Sequence, residues 1–423
     1  MAFSHRDHLG RPVIVVTGLG VVTSLGIGKD DNWSALTAGQ SGIHAITRFA
    51  TEGISTRIAG TVDFMKGQPE MAADLSFSLA ELAASEAVGE AGLPRGKFPG
   101  PLFMAVPPVE VEWSQRLAFD AAGSGAETGY ERLFDGLKTR NWSWPYDRFV
   151  FAGVAERTAE TFGTQGVPIS LSTACASGAT AVQLGVEATR RGDCETALCI
   201  GTDGSINTES LIRFSLLSAL STKNDPPEEA AKPFSKNRDG FVMAEGAGAL
   251  VLESLAHARA RGADVLAILS GIGERADDFH RTRSKPDGSA VIGAIRNVLD
   301  DCGLGTDAID YVNAHGTSTP ENDKMEHLAL DHVFGDDLAN MAISSNKSMI
   351  GHTLTAAGAV EAVFSILTMR TGRLPPTINY TEPDPDIAMD VVPNQARNAH
   401  VRAVMSNSFG FGGQNVCLIM TAP

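Results

Sequence analysis

Two stretches of this chain share one pattern, in which a short apolar strand leads through a turn of small residues into a long helix. Residues 169–193 read ISLSTACASGATAVQLGVEATRRGD, and residues 342–372 read AISSNKSMIGHTLTAAGAVEAVFSILTMRTG. The first stretch alternates apolar and small residues before its turn, and apolar residues recur at helical spacing after it. The similarity indicates an internal duplication, in which pseudo-symmetry brings two helix beginnings together.

The rest of the chain predicts an α/β fold of two similar halves, residues 1–258 and 259–423. The predicted strands are 12–17, 103–106, 195–201, 249–253, 265–271, 309–314, 341–345 and 403–406. The predicted helices are 30–38, 74–92, 290–301, 355–369 and the one that begins at Ser177. Residues 107–149, which contain three of the four tryptophans, are predicted to form an insert in the first half.

The glycines of GLGVVT, residues 18–23, resemble part of a dinucleotide-binding loop. We reject that interpretation because the third glycine and the acidic residue of the motif are missing. A tight turn is predicted there instead.

Cys175 lies at the predicted junction of strand and helix, and this position favours a nucleophile. Unpaired N–H groups and the positive end of the helix dipole stabilise a thiolate, which predicts a pKa below the free value of about 8.5. The flanking Ala174, Ala176 and Gly178 leave room for a carbonyl group, and the N–H of Cys175 is a candidate oxyanion donor. The alternative is a small buried apolar residue, since cysteine often serves as one.

Three further turns follow predicted strands and carry chemically useful groups. His315 lies in NAHGTSTPENDK, and His352 lies in SNKSMIGHTLTAAG. A neutral imidazole in such a turn can donate a hydrogen bond to a developing oxyanion or accept a proton. The third turn, in residues 408–415, reads SFGFGGQN, and its glycines permit close backbone approach and movement of an aromatic gate. Arg238, Asp239 and Glu245 are interpreted as a turn held by ion pairs.

Composition restricts the possible partners and the location. The net charge of −16 argues against a general nucleic-acid binder, because a polyanion requires a basic surface. The five cysteines show no CxxC pairing and predict reduced thiols in the cytoplasm. No apolar stretch reaches the roughly 18 residues that span a bilayer.

The motifs together resemble the β-ketoacyl-acyl-carrier-protein synthases of the type I/II branch. The resemblance runs from VVTGLGVVTSLG through STACASGA, KPFSKNRDGFVMAEGAGALVLE, NAHGTSTPENDK and KSMIGH to SNSFGFGGQN, in that order. It implies a duplicated thiolase-like fold with αβαβα layers, a homodimer, an acyl carrier protein as partner, and decarboxylative Claisen condensation. Neither a cofactor nor a metal is implied, because the substrates are carried on the phosphopantetheine arm of the carrier.

The resemblance also implies roles for individual residues. Cys175 takes the acyl chain as a thioester, while His315 and His352 bind the malonyl thioester carbonyl and stabilise the enolate. The N–H of Phe409, the gate residue, joins that of Cys175 in the oxyanion hole. The other implied positions are supporting or substrate-binding ones: Lys347, Glu361, Thr317, Thr319, Gly410 and Asp323.

Departures from the family indicate a specialised enzyme. The glycine-rich turn that shapes the acyl pocket is replaced by AVPPV, residues 105–109, and the basic carrier-docking helix is replaced by the acidic PEMAADLSFSLAEL, residues 69–82. Arg190, Arg191 or the insert are candidates for carrier docking instead. The alternatives are a polyketide-type ketosynthase, a non-catalytic chain-length partner, a thiolase, which requires a second active-site cysteine, and a cysteine hydrolase.

Overall fold

The computed structural model describes residues 4–65, 71–123, 129–138 and 146–423. The strands in these residues are β1 (Ile14–Thr23), β2 (Gly26–Ile27), β3 (His44–Ala45), β4 (Ile58–Ala59), β5 (Leu102–Ala105), β6 (Ile169–Leu171), β7 (Thr196–Asp203), β8 (Gly246–Ser254), β9 (Ala267–Ala276), β10 (Tyr311–Asn313), β11 (Ala342–Ser344), β12 (Arg373–Leu374), β13 (Arg397–Asn398), β14 (Ala403–Phe409) and β15 (Gln414–Thr421). The α-helices are α1 (Gly28–Thr37), α2 (Ala72–Glu90), α3 (Trp113–Ala122), α4 (Gly129–Lys138), α5 (Tyr146–Phe149), α6 (Gly153–Phe162), α7 (Ser177–Arg191), α8 (Thr208–Leu216), α9 (Leu255–Ala260), α10 (Ser289–Cys302), α11 (Pro320–Phe334), α12 (Lys347–Ile350) and α13 (Ala357–Thr371).

The two halves of the chain build their sheets in the same strand order. The first half has the order β1-β8-β7-β5-β6, and the second has β9-β15-β14-β10-β11. In the first half, β8 pairs antiparallel with β1 and β7, and β5 pairs parallel with β7 and β6. In the second half, β15 likewise pairs antiparallel with β9 and β14, and β10 pairs parallel with β14 and β11. A short antiparallel pairing of β1 with β9 joins the two sets. This repeat confirms the internal duplication, while the boundary at residue 258 stays a prediction.

Helices α7 and α13 occupy equivalent places in the two halves and pack against each other. Glycines allow the contact: a Cβ on Gly178 would lie 2.5 Å from the N atom of Ala359, and one on Gly358 would lie 2.4 Å from the N atom of Ala179. Such distances are too short for any side chain. The crossing therefore places the beginnings of both helices side by side.

Strand β1 contains the residues that were predicted to form a tight turn, and this prediction is wrong. The strand continues through residues 18–23 and pairs with β8 along most of its length. A Cβ on Gly18 would lie 2.0 Å from the carbonyl oxygen of Ala87, and one on Gly20 would lie 1.9 Å from that of Ala83. These glycines allow α2 to pack directly on the strand.

Other differences concern the surface of the first half. The apolar strand predicted before Cys175 is β6, which forms an edge of the sheet and leaves Ile169 45% exposed. The predicted insert contains helices α3, α4 and α5, and its residues 124–128 and 139–145, which include two of its tryptophans, lie outside the described residues. Among the described residues, no helix combines the length and apolarity needed to cross a membrane.

Candidate active site

Cys175 lies in a tight turn between β6 and α7. The hydroxyl of Ser177, the first residue of α7, accepts a hydrogen bond from the N–H of Thr173 at 2.8 Å and donates one to the carbonyl of Ala174 at 2.5 Å. Ala174 has a φ of 50°, a left-handed conformation that a non-glycine residue adopts at some cost. The turn therefore holds the thiol at the start of the helix, as the sequence predicts.

The prediction of a lowered pKa for Cys175 is wrong. Burial raises the pKa of the thiol to about 11, because desolvation of a thiolate outweighs a backbone hydrogen bond from Phe411 and the charge of Lys347. The cysteine still keeps part of its surface accessible. The resting group is therefore a neutral thiol.

The structure brings His315 and His352 to this thiol from the second half of the chain. The Cys175 sulfur and one ring nitrogen of each histidine all lie within 4.8 Å of one another. The two imidazole rings meet edge to face, with centroids 5.4 Å apart at 84°. Both histidines are almost completely buried.

His352 presents an N–H to the site. Its Nδ1 accepts a hydrogen bond from the N–H of Leu354 at 3.3 Å, which places the ring proton on Nε2. Among the described residues, Nε2 has no hydrogen-bond partner, and neither has Nδ1 of His315. The main chain of His352 is fixed by hydrogen bonds to Val242 at 2.7 Å and from Ala244 at 2.9 Å.

Both imidazoles are uncharged near neutral pH. Burial lowers the pKa of His315 and His352 well below the usual 6.5, and the nearby charge of Lys347 lowers both further. Lys347 forms a buried ion pair with Glu361, whose pKa burial raises to about 7. The pair thus places a cation behind two neutral donors.

One cavity has Cys175 in its wall and contains most of the predicted residues. Its lining includes Cys175, His315, His352, Thr317, Thr319, Phe409 and Gly410. The hydroxyls of Thr317 and Thr319 are 2.9 Å apart. Lys347 and Glu361 do not line the cavity and lie behind the histidines.

Asp323 does not line the cavity either, so of the two implied roles it fits the supporting one. Its carboxylate is buried, accepts a hydrogen bond from the N–H of Phe234 at 2.8 Å and lies 3.5 Å from the guanidinium of Arg238. Arg238 also pairs with Asp384 at 2.7 Å, and Glu245 pairs with Arg48 at 2.7 Å. The structural interpretation of Arg238 and Glu245 is therefore confirmed.

The predicted role of the Phe409 amide stays a prediction, and the structure adds a second candidate donor. Strand β14 continues to Phe409, which pairs opposite Asn415 and packs its ring 5.7 Å from that of His315. The N–H that reaches the Cys175 sulfur belongs to Phe411. The sequence predicts that this strand ends at residue 406, three residues before its end in the structure, and Phe411 follows it in the glycine turn.

Glu326 is a positioning residue that the sequence analysis missed. Its two carboxylate oxygens accept the N–H groups of His315 and Gly316, both at 2.8 Å, and a hydrogen bond from Asn407 at 3.1 Å. It lies on α11, a helix that was not predicted. Thr319 caps this helix and Pro320 is its first residue, a start signal that the sequence does contain.

The chain matches two family models over most of its length. The model described as "Beta-ketoacyl synthase, N-terminal domain" matches residues 11–258, and "Beta-ketoacyl synthase, C-terminal domain" matches residues 266–381. The chain is 36% identical to "3-oxoacyl-[acyl-carrier-protein] synthase 2" of Coxiella burnetii, over 96% of this chain and 98% of that protein. It is 35% identical to "Tetracenomycin polyketide synthase ketoacyl synthase alpha subunit" of Streptomyces glaucescens, over 97% of each.

Solved structures agree with these matches. A type II polyketide ketosynthase in complex with its acyl carrier protein, described as AntDE:AntF, superimposes with a TM-score of 0.88 at 31% identity, covering 98% of this chain and 100% of that one. A β-ketoacyl synthase from Burkholderia phymatum gives a TM-score of 0.83 at 32% identity, covering 97% and 99%. The expected thiolase-like fold is confirmed.

Proposed function

The chain belongs to the β-ketoacyl synthase family and is a condensing acyltransferase of fatty-acid or specialised acyl-chain elongation, and we propose that Cys175, His315 and His352 catalyse a decarboxylative Claisen condensation. The observation that carries this assignment is the meeting of one sulfur and two imidazole nitrogens within 4.8 Å. The thiol supplies the nucleophile, and the imidazoles supply neutral donors beside it.

In the first step, the Cys175 sulfur attacks the carbonyl carbon of an acyl thioester on a carrier. The N–H groups of Cys175 and Phe411 face the oxyanion of the tetrahedral intermediate. The carbon–sulfur bond to the carrier breaks, and the carrier thiol leaves with the proton that Cys175 loses. Because the pKa of Cys175 is about 11, this proton has to be removed during the attack.

In the second step, a malonyl thioester loses carbon dioxide, and the electron pair of the broken carbon–carbon bond forms an enolate. The enolate oxygen accepts hydrogen bonds from the imidazoles of His315 and His352. The enolate carbon then attacks the acyl group on Cys175, and the sulfur leaves and is protonated again. Lost donors of this kind cost about 2.7–4 kcal/mol of transition-state stabilisation.

The same proposal includes the partners. An acyl carrier protein supplies both thioesters, which is supported by the carrier-bound ketosynthase among the similar structures. A homodimer is supported by the edge strand β6, whose outer side has no partner strand among the described residues and would pair with a second copy. The expected independence of cofactors and metals and the cytoplasmic location stay predictions.

A polyketide-type ketosynthase is the second candidate. Relatives of both kinds match at about the same identity: 36% for the Coxiella burnetii synthase and 35% for the tetracenomycin subunit. The non-catalytic chain-length partner is disfavoured by the complete set of Cys175, His315 and His352.

Intact-protein mass spectrometry with acyl-carrier thioesters of graded length tests the proposal. We expect an acyl adduct on the wild type and none on Cys175→Ala. We expect His352→Ala to accept the acyl group but to lose condensation with malonyl-carrier by at least about 100-fold, because it lacks one enolate donor. An adduct or condensation product with Cys175→Ala would contradict the assignment.

A further inference from the structure

The entrance to the active-site cavity carries two arginines that have no acidic partner among the described residues. Arg281 and Arg283 line the cavity that contains Cys175, and both side chains are exposed. Neither forms a salt bridge or side-chain hydrogen bond within residues 4–65, 71–123, 129–138 and 146–423. Glu321, from α11, also lines the cavity and pairs with neither of them there.

The loop that carries these arginines is held in place. Asp277 closes it, since its carboxylate accepts hydrogen bonds from the N–H groups of Phe279 at 2.9 Å and Lys285 at 2.8 Å. The loop is also attached to the glycine turn that contains Phe411. The carbonyl of Arg281 accepts the N–H of Gly412 at 2.7 Å, and the N–H of Asp277 donates to Gly413 at 2.8 Å.

Other basic residues considered for docking are already paired within the chain. Arg190 forms a salt bridge with Asp301 at 2.9 Å, and Arg191 forms one with Asp193 at 2.9 Å. On the acidic helix α2, Asp74 pairs with Arg148 and Arg157. In a chain of net charge −16, two unpaired guanidiniums beside the entrance form a local attraction for an anion.

We propose that Arg281 and Arg283 bind the phosphate group of the phosphopantetheine arm as its thioester end enters the cavity. A guanidinium is planar and donates two parallel hydrogen bonds, a geometry that matches phosphate oxygens. The arm places its only anionic group at the end opposite the thioester, so the phosphate stays outside while the thioester reaches Cys175. This inference rests on the proposed function and adds to it the two side chains that bind the phosphate of the arm.

Binding of the arm alone tests this subsite without any chemical step. The probes are 4′-phosphopantetheine and pantetheine, titrated under reducing conditions into the full chain; calorimetry follows both, and ³¹P NMR also follows 4′-phosphopantetheine. We expect the wild type to bind the phosphorylated arm about tenfold or more tightly than pantetheine, which corresponds to about 1.4 kcal/mol. We expect the double variant Arg281→Gln/Arg283→Gln to reduce that ratio to about one.

Arg296→Gln, which removes one exposed arginine of α10 outside the cavity lining, is the charge control and should keep the wild-type ratio. Equal affinities of the wild type for both probes would overturn the proposal. An equal loss of both affinities in the double variant would also overturn it, because that result indicates a structural role of the loop.

The phosphate has two possible sources, a carrier protein and coenzyme A. Loading rates of Cys175 with acyl-carrier and acyl-coenzyme A thioesters of one chain length distinguish them, since the double variant slows the true donor more. Phosphate-dependent binding without any acyl adduct would keep this inference and remove the proposed function. An acyl adduct on Cys175 without any preference for the phosphorylated arm would keep the proposed function and remove this inference.

Discussion

The thiol of Cys175 lies largely within the protein, so desolvation opposes its ionisation. With a pKa of about 11, only a small fraction of the group is a thiolate at neutral pH. We expect its alkylation by iodoacetamide to rise about tenfold for each pH unit between about pH 7 and pH 10. Peptide mass spectrometry measures the rate at Cys175, and Cys175→Ala reports the background at the other cysteines. A rate that stops rising by pH 8 would contradict the raised pKa.

Glu326 holds the turn of His315 through two main-chain donors, and its replacement tests that role. In Glu326→Gln, the amide NH₂ faces an N–H group that loses its acceptor. We expect a decrease of about 1–3 kcal/mol in the free energy of unfolding, measured with urea, and slower condensation. Asp331→Asn, an exposed change on the same helix, should stay within about 0.5 kcal/mol of the wild type. Equal stability of both variants would show that Glu326 contributes little.

For single residues, the sequence predicted which side chains meet in the site better than it predicted where strands end or how burial shifts a pKa. Cys175, His315 and His352 were found because each follows a strand within a turn of small residues. Phe411 was missed because the end of a strand is set by pairing with β15, and the local sequence SFGFGG contains two equivalent Phe–Gly steps. The pKa of Cys175 was misjudged because burial comes from distant segments.

Among the elements, the crossing of α7 and α13 most directly sets the geometry of the site. Gly178→Ala would place a Cβ about 2.5 Å from the main chain of α13, so one helix has to move. We expect a loss of about 1–3 kcal/mol in the free energy of unfolding and slower acylation of Cys175, because the helix beginnings separate. Urea unfolding and the acylation rate measure the two effects.

Gly89→Ala is the matched control for this helix substitution. Gly89 lies within α2, and a Cβ there would meet no atom within 4 Å. We expect it to raise the free energy of unfolding by up to about 1 kcal/mol, because alanine loses less backbone entropy than glycine in a helix. Similar losses in both glycine variants would contradict the explanation by close contact.

Helices with clear apolar spacing were predicted within a few residues, as α2, α7 and α10 illustrate. Helix α11 was missed because charged residues interrupt its apolar face and Glu326, a buried carboxylate, lies among them. The glycines of β1 were misinterpreted because they are required by the close packing of α2, which lies about 60 residues further along the chain. Contacts between distant segments cannot be read from local spacing.

For the whole molecule, we expect strand β6 to form the interface with a second copy. Ile169 is 45% exposed and Val167, just before the strand, is 85% exposed. We expect light scattering to give twice the chain mass of 44.5 kDa for the wild type. Val167→Lys/Ile169→Lys should reduce the mass to that of one chain, because like charges would meet at the paired edge. A dimer in the double variant would place the interface elsewhere, and Leu9→Lys serves as an exposed control.

The identical strand order of the two halves has a consequence for how the reaction is shared. One half contains Cys175, to which we assign the acyl group, and the other contains His315 and His352, to which we assign the hydrogen bonds to the enolate. Neither half alone contains all the groups that the proposed reaction needs, although both halves have the same strand order. The duplicated architecture thus places different chemical groups at the turns of its two halves, and the proposed reaction depends on the contact between α7 and α13 that keeps these turns together.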